Sequence, residues 1–315
     1  VTPDVCLVVT TYRRPNLLRR ALDGVRRQVD VEPARVTVVV LDNDPDESAR
    51  AVVEEVAALL PFPVEYLVVR ERGLSYVRNA ALAVARARAP FLAMLDDDEI
   101  PEPQWLAELL RVQSATHADA VSGPVLPLLP ASAPAWIRRG AFFDMPRFRD
   151  GSTLRDGCTG NALLLLRAPA FNELGFNPAF NAAGGEDQFF FRELLARGGR
   201  IAYAANAVAA EHVMPNRLCA AYILRRAFRR GNTLWYCDLR IHGTVRAIAG
   251  RIGKAFAWTA FGLVSLPLRL TLRGRTGALE ALVDVARGAG MLAGIFGVLF
   301  LEYDRSSMLR YGTEF

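Results

Sequence analysis

The stretch F-L-A-M-L-D-D-D-E-I-P, Phe91–Pro101, decides how this chain is read. Five apolar residues run without a break and then give way to Asp96, Asp97, Asp98 and Glu99. A short run with no polar alternation suits a strand buried on both faces. The acids that follow need a cation or hydrogen-bond donors nearby, because adjacent carboxylates repel one another. Outward from this stretch the same rhythm recurs. Strands are expected at Val5–Thr10, Val36–Leu41, Val64–Val69 and Ala120–Gly123, with helices over Pro15–Arg27, Asp46–Leu60, Ser75–Arg88 and Pro103–Arg111. Apolar strands alternating with helices imply an α/β chain with a parallel sheet covered on both faces. Ligands of such sheets bind beyond the carboxyl ends of the strands, where the aspartates stand.

Each strand end carries candidate chemistry. Asp96–Asp98 would suit a hard divalent ion, Mg²⁺ or Mn²⁺, especially one shared with phosphates; the plain alternative is a solvated acidic turn. Asp42-Asn43-Asp44 closes the second strand, where an acid commonly reads a ribose or a base edge, although Asp and Asn also favour turns. Thr10, Thr11 and Tyr12 close the first strand and could line the same pocket, with Arg13 and Arg14 either beside it or in solvent. Arg72-Gly73-Leu74-Ser75-Tyr76-Val77-Arg78-Asn79 opens a helix whose free amides favour an anion, with Arg78 one turn in; a plain helix cap is the other reading. Neither G-x-G-x-x-G nor G-x-x-x-x-G-K-[ST] occurs, which removes support for a Rossmann dinucleotide site and for a P-loop. Gly184-Gly185-Glu186-Asp187 opens a further helix with two carboxylates, serving either the helix dipole or as a general base for an acceptor. His212 stands near a strand end and either completes a metal site or is a satisfied polar residue. His117 and His242 read as structural or surface residues.

The rest of the chain sets the context. Its 315 residues exceed the size at which a core becomes marginal. The Pro-rich stretch Pro124–Pro146 excludes a regular helix or a central strand and reads as a long connection with an exposed-looking Trp136. An apolar run at Ala162–Leu166, a helix from about Glu186 and a strand near Ile201–Tyr203 follow it. Cys6, Cys158, Cys219 and Cys237 lie too far apart in sequence for a zinc or dithiol motif. The acid in V-T-P-D and the short apolar run after it are unlike a signal peptide, so a cytoplasmic location is expected. No nucleic-acid partner is expected. From Arg217 onward there are 15 basic and 6 acidic residues, against 23 and 27 before it. Mean hydropathy is +0.17. That oiliness concentrates in Ala255–Leu268 and Gly288–Leu301, each too short to span a bilayer and better suited to interfacial helices.

Taken in order, V-V-T-T-Y-R-R-P, V-V-V-L-D-N-D, R-G-L-S-Y-V-R-N-A-A-L, L-D-D-D-E-I-P, T-G-N-A-L and G-G-E-D-Q-F-F-F-R-E-L resemble the family 2 glycosyltransferases over roughly residues 4–232. The resemblance implies the GT-A fold, a Rossmann-like mixed sheet flanked by helices. It would place a catalytic domain at 1–232, divided into a nucleotide-binding half (1–125) and an acceptor half (126–232). A helical, membrane-associating extension would follow at 233–315. It implies that Asp42 binds the nucleobase, that Arg78 and the Gly73 turn face ribose or diphosphate, and that Asp96 and Asp98 hold ribose and metal. Thr10, Tyr12 and Asp97 would belong to the same donor pocket. Asp187 would be the catalytic base, with Glu186 beside it. E-H-V-M-P-N-R-L and L-R-R-A-F-R-R-G-N look like the bacterial exopolysaccharide branch, where His212 would approach the metal and Arg217, Arg225 and Arg226 would meet phosphates of donor or lipid acceptor. The Q-x-x-R-W signature of processive synthases is absent, which implies one transfer per encounter.

The expected reaction is therefore an inverting, metal-dependent transfer of one sugar from a nucleotide-diphosphate sugar. UDP is the favoured nucleotide, and the acceptor is a hydroxyl of a glycan or a polyprenyl-diphosphate-linked acceptor in surface polysaccharide synthesis. The rivals are a nucleotidyltransferase, which usually carries a basic Gly-rich loop where this chain has T-T-Y-R-R-P, and a silent nucleotide-sugar or glycan-binding module. The basic tail would hold the enzyme peripherally on the anionic inner face of the plasma membrane; packing on the catalytic domain or a homo-oligomer contact is the alternative.

Overall fold

The computed structural model describes residues 4–296 and 298–301. Four parallel neighbours, β1 (Val5–Thr11), β2 (Val36–Asp42), β3 (Val64–Val68) and β4 (Phe91–Asp96), form one half of the main sheet. β6 (Ala120–Ser122), β8 (Asn161–Leu165) and β9 (Ile201–Tyr203) complete it, in the order β3-β2-β1-β4-β8-β6-β9. β8 runs antiparallel to both β4 and β6. β6 and β9 pair parallel and run with β4, so the wholly parallel sheet expected from the strand-helix rhythm fails at one strand, β8. β8 returns from the Pro-rich excursion without a helical crossover, so nothing imposes the parallel direction on it.

Alternation along the strands divides the core into two layers. Leu7, Val9, Val38 and Val40 pack on α1 (Pro15–Arg26), α2 (Arg50–Ala57) and α4 (Trp105–Thr116) through Leu18, Leu22, Val53 and Trp105. Cys6, Val8, Val39 and Leu41 pack on α3 (Leu74–Arg86) and α6 (Glu186–Ala196) through Val77, Leu82, Phe190 and Phe191. Burial lifts the Cys6 thiol to about 12, so it behaves as a small apolar core residue.

A second sheet leans on the first, with β10 (Ala209–His212) between β5 (Glu99–Pro101) and β7 (Val125–Leu128). The stretch read as a plain connection therefore supplies an edge strand, where Pro127 has no ladder bond to lose, and the single turn α5 (Ala135–Arg138). Trp136 is half-buried rather than exposed, edge-on to Phe142 with ring centroids 6.0 Å apart.

The C-terminal third is helical. α7 (Ala220–His242) runs without a break through residue 232, the expected domain boundary. α8 (Thr244–Ile295) reverses at Gly274, which takes φ 58° and ψ −138°, a combination that favours glycine. Its arms, 244–273 and 275–295, lie antiparallel, joined by Arg269–Asp284 and Arg273–Glu280 ion pairs. The second arm is wedged between the first arm and α7, where Gly290 approaches the Phe228 carbonyl too closely for any side chain. Asp238 of α7 is paired with Arg192 of α6 at 2.8 Å and with Arg251 of α8, tying the extension to the sheet domain. By length and composition Ile248–Ile295 could cross a membrane. The reversal turns its tip back onto α5 instead, where Arg273 donates to the Arg139 carbonyl (2.6 Å) and Thr276 to that of Trp136 (3.2 Å). Residues 302–315 of the expected extension lie outside the described residues.

Candidate active site

Parallel pairing levels the carboxyl ends of three strands: Thr11 faces Asp42 and Thr10 faces Asp96. On this ledge the acids of Asp96–Glu99 meet arginines from elsewhere. Arg14, at the start of α1, donates to Asp97 and Asp98 at 3.2 Å each, and the Thr11 hydroxyl donates to Asp97 at 2.8 Å. Arg217 pairs with Glu211 at 2.8 Å and approaches Asp98 at 3.9 Å. Thr10 lies 3.5 Å from Asp96. Burial raises Asp97 to about 7, against the opposing pull of Arg14, and also raises Asp96 and Asp98. Glu99 rises furthest, through burial and the neighbouring Asp96, Asp98 and Glu211, and its Oε2 has no partner among the described residues.

Arg78 bridges this ledge to α6. It is buried, paired with Glu186, and 3.6 Å from Asp96. Burial works against its charge, but Glu186 and Asp96 outweigh it and raise Arg78 above its ordinary value. Arg78 therefore bridges α6 to the ledge, engaged by Glu186 where the resemblance implied a contact to ribose or diphosphate. Glu186 is buried with it, its carboxyl raised by burial, and its Oε2, without a partner among the described residues, is shut off from solvent. Asp187, the next residue, is half-exposed at the helix N-terminus and, among the described residues, accepts only a local bond from the Gln188 amide at 2.7 Å. Of the two acids that open α6, Asp187 alone is presented.

Two other expected contacts are engaged internally. Asp42 is fully buried, and its carboxylate accepts from the Asp44 and Ala49 amides at 2.9 Å each and the Tyr66 hydroxyl at 2.8 Å. It shapes the turn after β2 and offers no exposed oxygen to a base. At the Gly73 turn, Asn43 accepts from the Gly73 amide at 2.9 Å and Asn181 from the Ser75 amide at 2.7 Å, so asparagines cap α3 where an anion was expected. Gly73 has φ 142° and abuts Asn181, leaving no room for a side chain. The Tyr12 ring carries the guanidinium groups of Arg13 and Arg72 at 5.3 and 5.1 Å.

The sequence and fold have counterparts. The family model "Glycosyl transferase family 2" matches residues 6–168. The chain is 38% identical over 233 residues to the "Succinoglycan biosynthesis protein ExoM" of Rhizobium meliloti (strain 1021), covering 74% of each. The chain belongs to glycosyl transferase family 2. Among solved structures, the mannosyltransferase PcManGT from Pyrobaculum calidifontis, in complex with GDP-Man and Mn²⁺, superposes with a TM-score of 0.61 at 18% identity, over 93% of this chain and 88% of that one. TarS of S. aureus, as residues 1–349 in complex with UDP-GlcNAc, gives 0.53 at 14% identity over 93% and 92%; the chain spans 55% of a longer TarS chain. These likenesses show the fold, the GT-A arrangement, and the chain is a glycosyltransferase.

A divalent ion in this family 2 domain would have to fit the residues at hand. β10 places His212 beside Asp98, its amide donating to the Asp98 carbonyl at 3.0 Å. Burial and Arg20, 3.1 Å from Nε2, lower the imidazole pKa and favour the neutral form a ligand needs, against the pull of Asp98. Burial raises all four acids of Asp96–Glu99, so a cation bound beside them would favour their charged forms. The donor set of a carboxylate and an imidazole suits Mg²⁺ or Mn²⁺ completed by phosphate oxygens and water. The expected triad of Asp96, Asp98 and His212 is not gathered: among the described residues no three such side chains converge, and Asp96 leans on Arg78.

Arg225 lies over the Tyr222 ring at 5.9 Å and Arg226 over Phe143 at 5.6 Å, both on α7. Arg14, for which the sequence allows either pocket or solvent, lies on the ledge. Its placement follows from the β1–β4 pairing, since a residue just past Thr11 must fall beside Asp97. Asn181 carried no sequence signal, because its partner lies 106 positions away.

Proposed function

We propose that the chain is an inverting, metal-dependent transferase that moves one sugar from a nucleotide-diphosphate sugar to a hydroxyl of a glycan or lipid-linked acceptor in bacterial surface polysaccharide assembly. The observation that carries this reading is Asp187. It is the presented acid of the pair, and the buried Arg78 bridge holds it against the ledge of Asp96–Asp98. The donor diphosphate would lie on that ledge, with Asp96 and Thr10 toward the ribose and Arg217 toward phosphate oxygens. The turn shaped by Asp42, with Tyr12 at its mouth, would face the base. Asp98 and His212 would hold Mg²⁺ or Mn²⁺, which when bound neutralises charge on the leaving diphosphate. Asp187 would take the proton of the attacking hydroxyl from the face opposite the diphosphate, giving inversion. Glu186 and Arg78 would fix its position.

Support for the polysaccharide role comes from the succinoglycan relative, and support for a nucleotide-sugar donor from the GDP-Man and UDP-GlcNAc complexes of the structural neighbours. The hairpin supports a peripheral seat on the inner membrane face. Phe256, Phe261, Leu263, Val264, Leu268 and Leu272 are all more than half exposed on its outer arm, and the exposed Lys254 and Arg275 lie on the same helix. A surface of that kind is attracted to anionic lipid at about 1 kcal/mol per basic residue near the headgroups.

Replacing Asp187 by Asn tests the base. Turnover should fall by roughly 10²–10⁴-fold, the usual worth of a general base, while donor affinity measured by calorimetry stays unchanged. Loss of donor affinity in parallel with turnover would sink the assignment.

A further inference from the structure

Away from the strand ends, α7, the two arms of α8 and the turn at Gly140–Asp144 line an open cavity of about 600 Å³, within the size range of ligand sites. Five arginines line it. Two are answered locally, Arg269 by Asp284 at 3.0 Å and Arg273 by Glu280 at 2.6 Å. The other three, Arg226 and Arg230 of α7 and Arg287 of the second arm, form no ion pair among the described residues. Arg287 lies over the Trp258 ring at 4.8 Å, and its Nε is a buried donor with no acceptor. Repulsion, first from Arg226, together with burial and with Arg229 and Arg287, pulls Arg230 down to about 9. The lining acids Asp144, Glu280 and Asp284 are outnumbered by the five arginines, with Asp284 answering Arg269 and favouring the charge on Arg287. Partly buried guanidinium groups with too few carboxylates favour a bound anion, and their planar forks match phosphate oxygens two at a time.

The surroundings narrow the anion. Trp258 and Phe261 form an apolar side of the cavity and belong to the same arm that exposes Phe256, Leu263 and Val264, so a hydrocarbon tail could leave along that face. Asp187 is the carboxylate that opposes the downward pull on Arg230, which puts the cavity on the side of the presented acid. α6 and α7 are in contact there, Gly185 lying against Thr233. We propose that this cavity is a second, separate binding site that takes the diphosphate head of an amphiphile, lodged among Arg226, Arg230 and Arg287. The anion site stands on the cavity; its use as the acceptor subsite rests on the transferase reading above.

Calorimetry on the full chain, with UDP saturating the donor site, tests both parts with two probes, inorganic pyrophosphate and farnesyl diphosphate. Both should bind, the prenyl ester at least about tenfold more tightly, and the double variant R230Q/R287Q should weaken each by at least about tenfold with UDP affinity unchanged. Unchanged probe affinity in the double variant, or displacement of pyrophosphate by UDP, would overturn the site. Equal affinity for the two probes would overturn the amphiphile and leave a free-diphosphate site. If the double variant no longer binds UDP, Arg226→Glu on the outer turn of α7 replaces it, with the same loss expected and an unchanged affinity counting against the proposal. Probe binding that responds to these variants in a chain without sugar transfer would defeat the transferase reading alone. Transfer with probe binding indifferent to them would defeat the cavity alone.

Discussion

At the carboxyl end of the sheet Arg14, Arg78 and Arg217 each face a carboxylate, whereas between α7 and α8 Arg226 and Arg287 lie over aromatic rings and, with Arg229, repel Arg230. Apolar side chains divide along the same line. In the sheet domain they fill two buried layers, while on the outer arm of α8 they meet solvent, Val264 at 78% exposure. Arginine in the first region is a rivet that positions acids, and in the second it is charge held in readiness. The comparison teaches that a count of basic residues says little until each guanidinium has been assigned its partner. The tail's excess of positive charge divides into a cavity and a surface.

The largest effect expected from breaking this contrast comes at Arg78. Arg78→Met removes the one cation that Glu186 shares with Asp96, leaving a buried carboxylate unanswered. A loss of about 3–5 kcal/mol in urea unfolding is expected. A variant of wild-type stability that fails only in donor binding would move Arg78 back to the diphosphate. The outer arm is sharpened by a smaller change. Phe256→Ser with Leu263→Ser removes two exposed apolar groups, each worth about 1.5–3 kcal/mol if lipid buries it. Flotation with anionic liposomes should fall at least about tenfold while unfolding stability shifts within about 0.5 kcal/mol, as for other surface changes. Equal flotation of the variant and the parent chain would take the membrane off that face.

How far the sequence reached follows from the range of the interactions. Strand runs such as F-L-A-M-L and the acids after them were legible because burial and position are local properties. The mixed direction of the sheet was not, since β8 arrives after a Pro-rich excursion whose path no periodicity records. Asp187 was legible as the acid that opens a helix, but its division of labour with Glu186 depends on Arg78, 108 positions away from Glu186. The reversal at Gly274 was hidden for a different reason: an isolated glycine in a helical pattern is tolerated more often than it turns a chain. In sequence the two 14-residue apolar stretches look alike, and only the antiparallel placement of the arms shows that the first lies outermost while the helical part of the second, 288–295, packs on α7 and the first arm.

The smallest effect bears on Asp42, where the sequence suggested a base contact and the structure shows a turn organiser. Tyr66→Phe deletes one of the three hydrogen bonds to its carboxylate and leaves the Ala49 and Asp44 amides in place. The Tyr66 hydroxyl is held above its ordinary pKa by burial and by Asp42, so at neutral pH it is a donor and its removal costs a hydrogen bond, not a charge. A typical net value is about 0.5–1.5 kcal/mol, and thermal unfolding should register it. If Asp42 only shapes the turn, donor affinity should hold, because the two amide bonds still fix the backbone that faces the base. If instead the carboxylate swings out to the base when donor arrives, losing the Tyr66 bond would free it and donor affinity would rise. Calorimetry with UDP on the parent chain and the Tyr66→Phe variant separates the two, since turn-shaping predicts no change and base-reading predicts tighter binding.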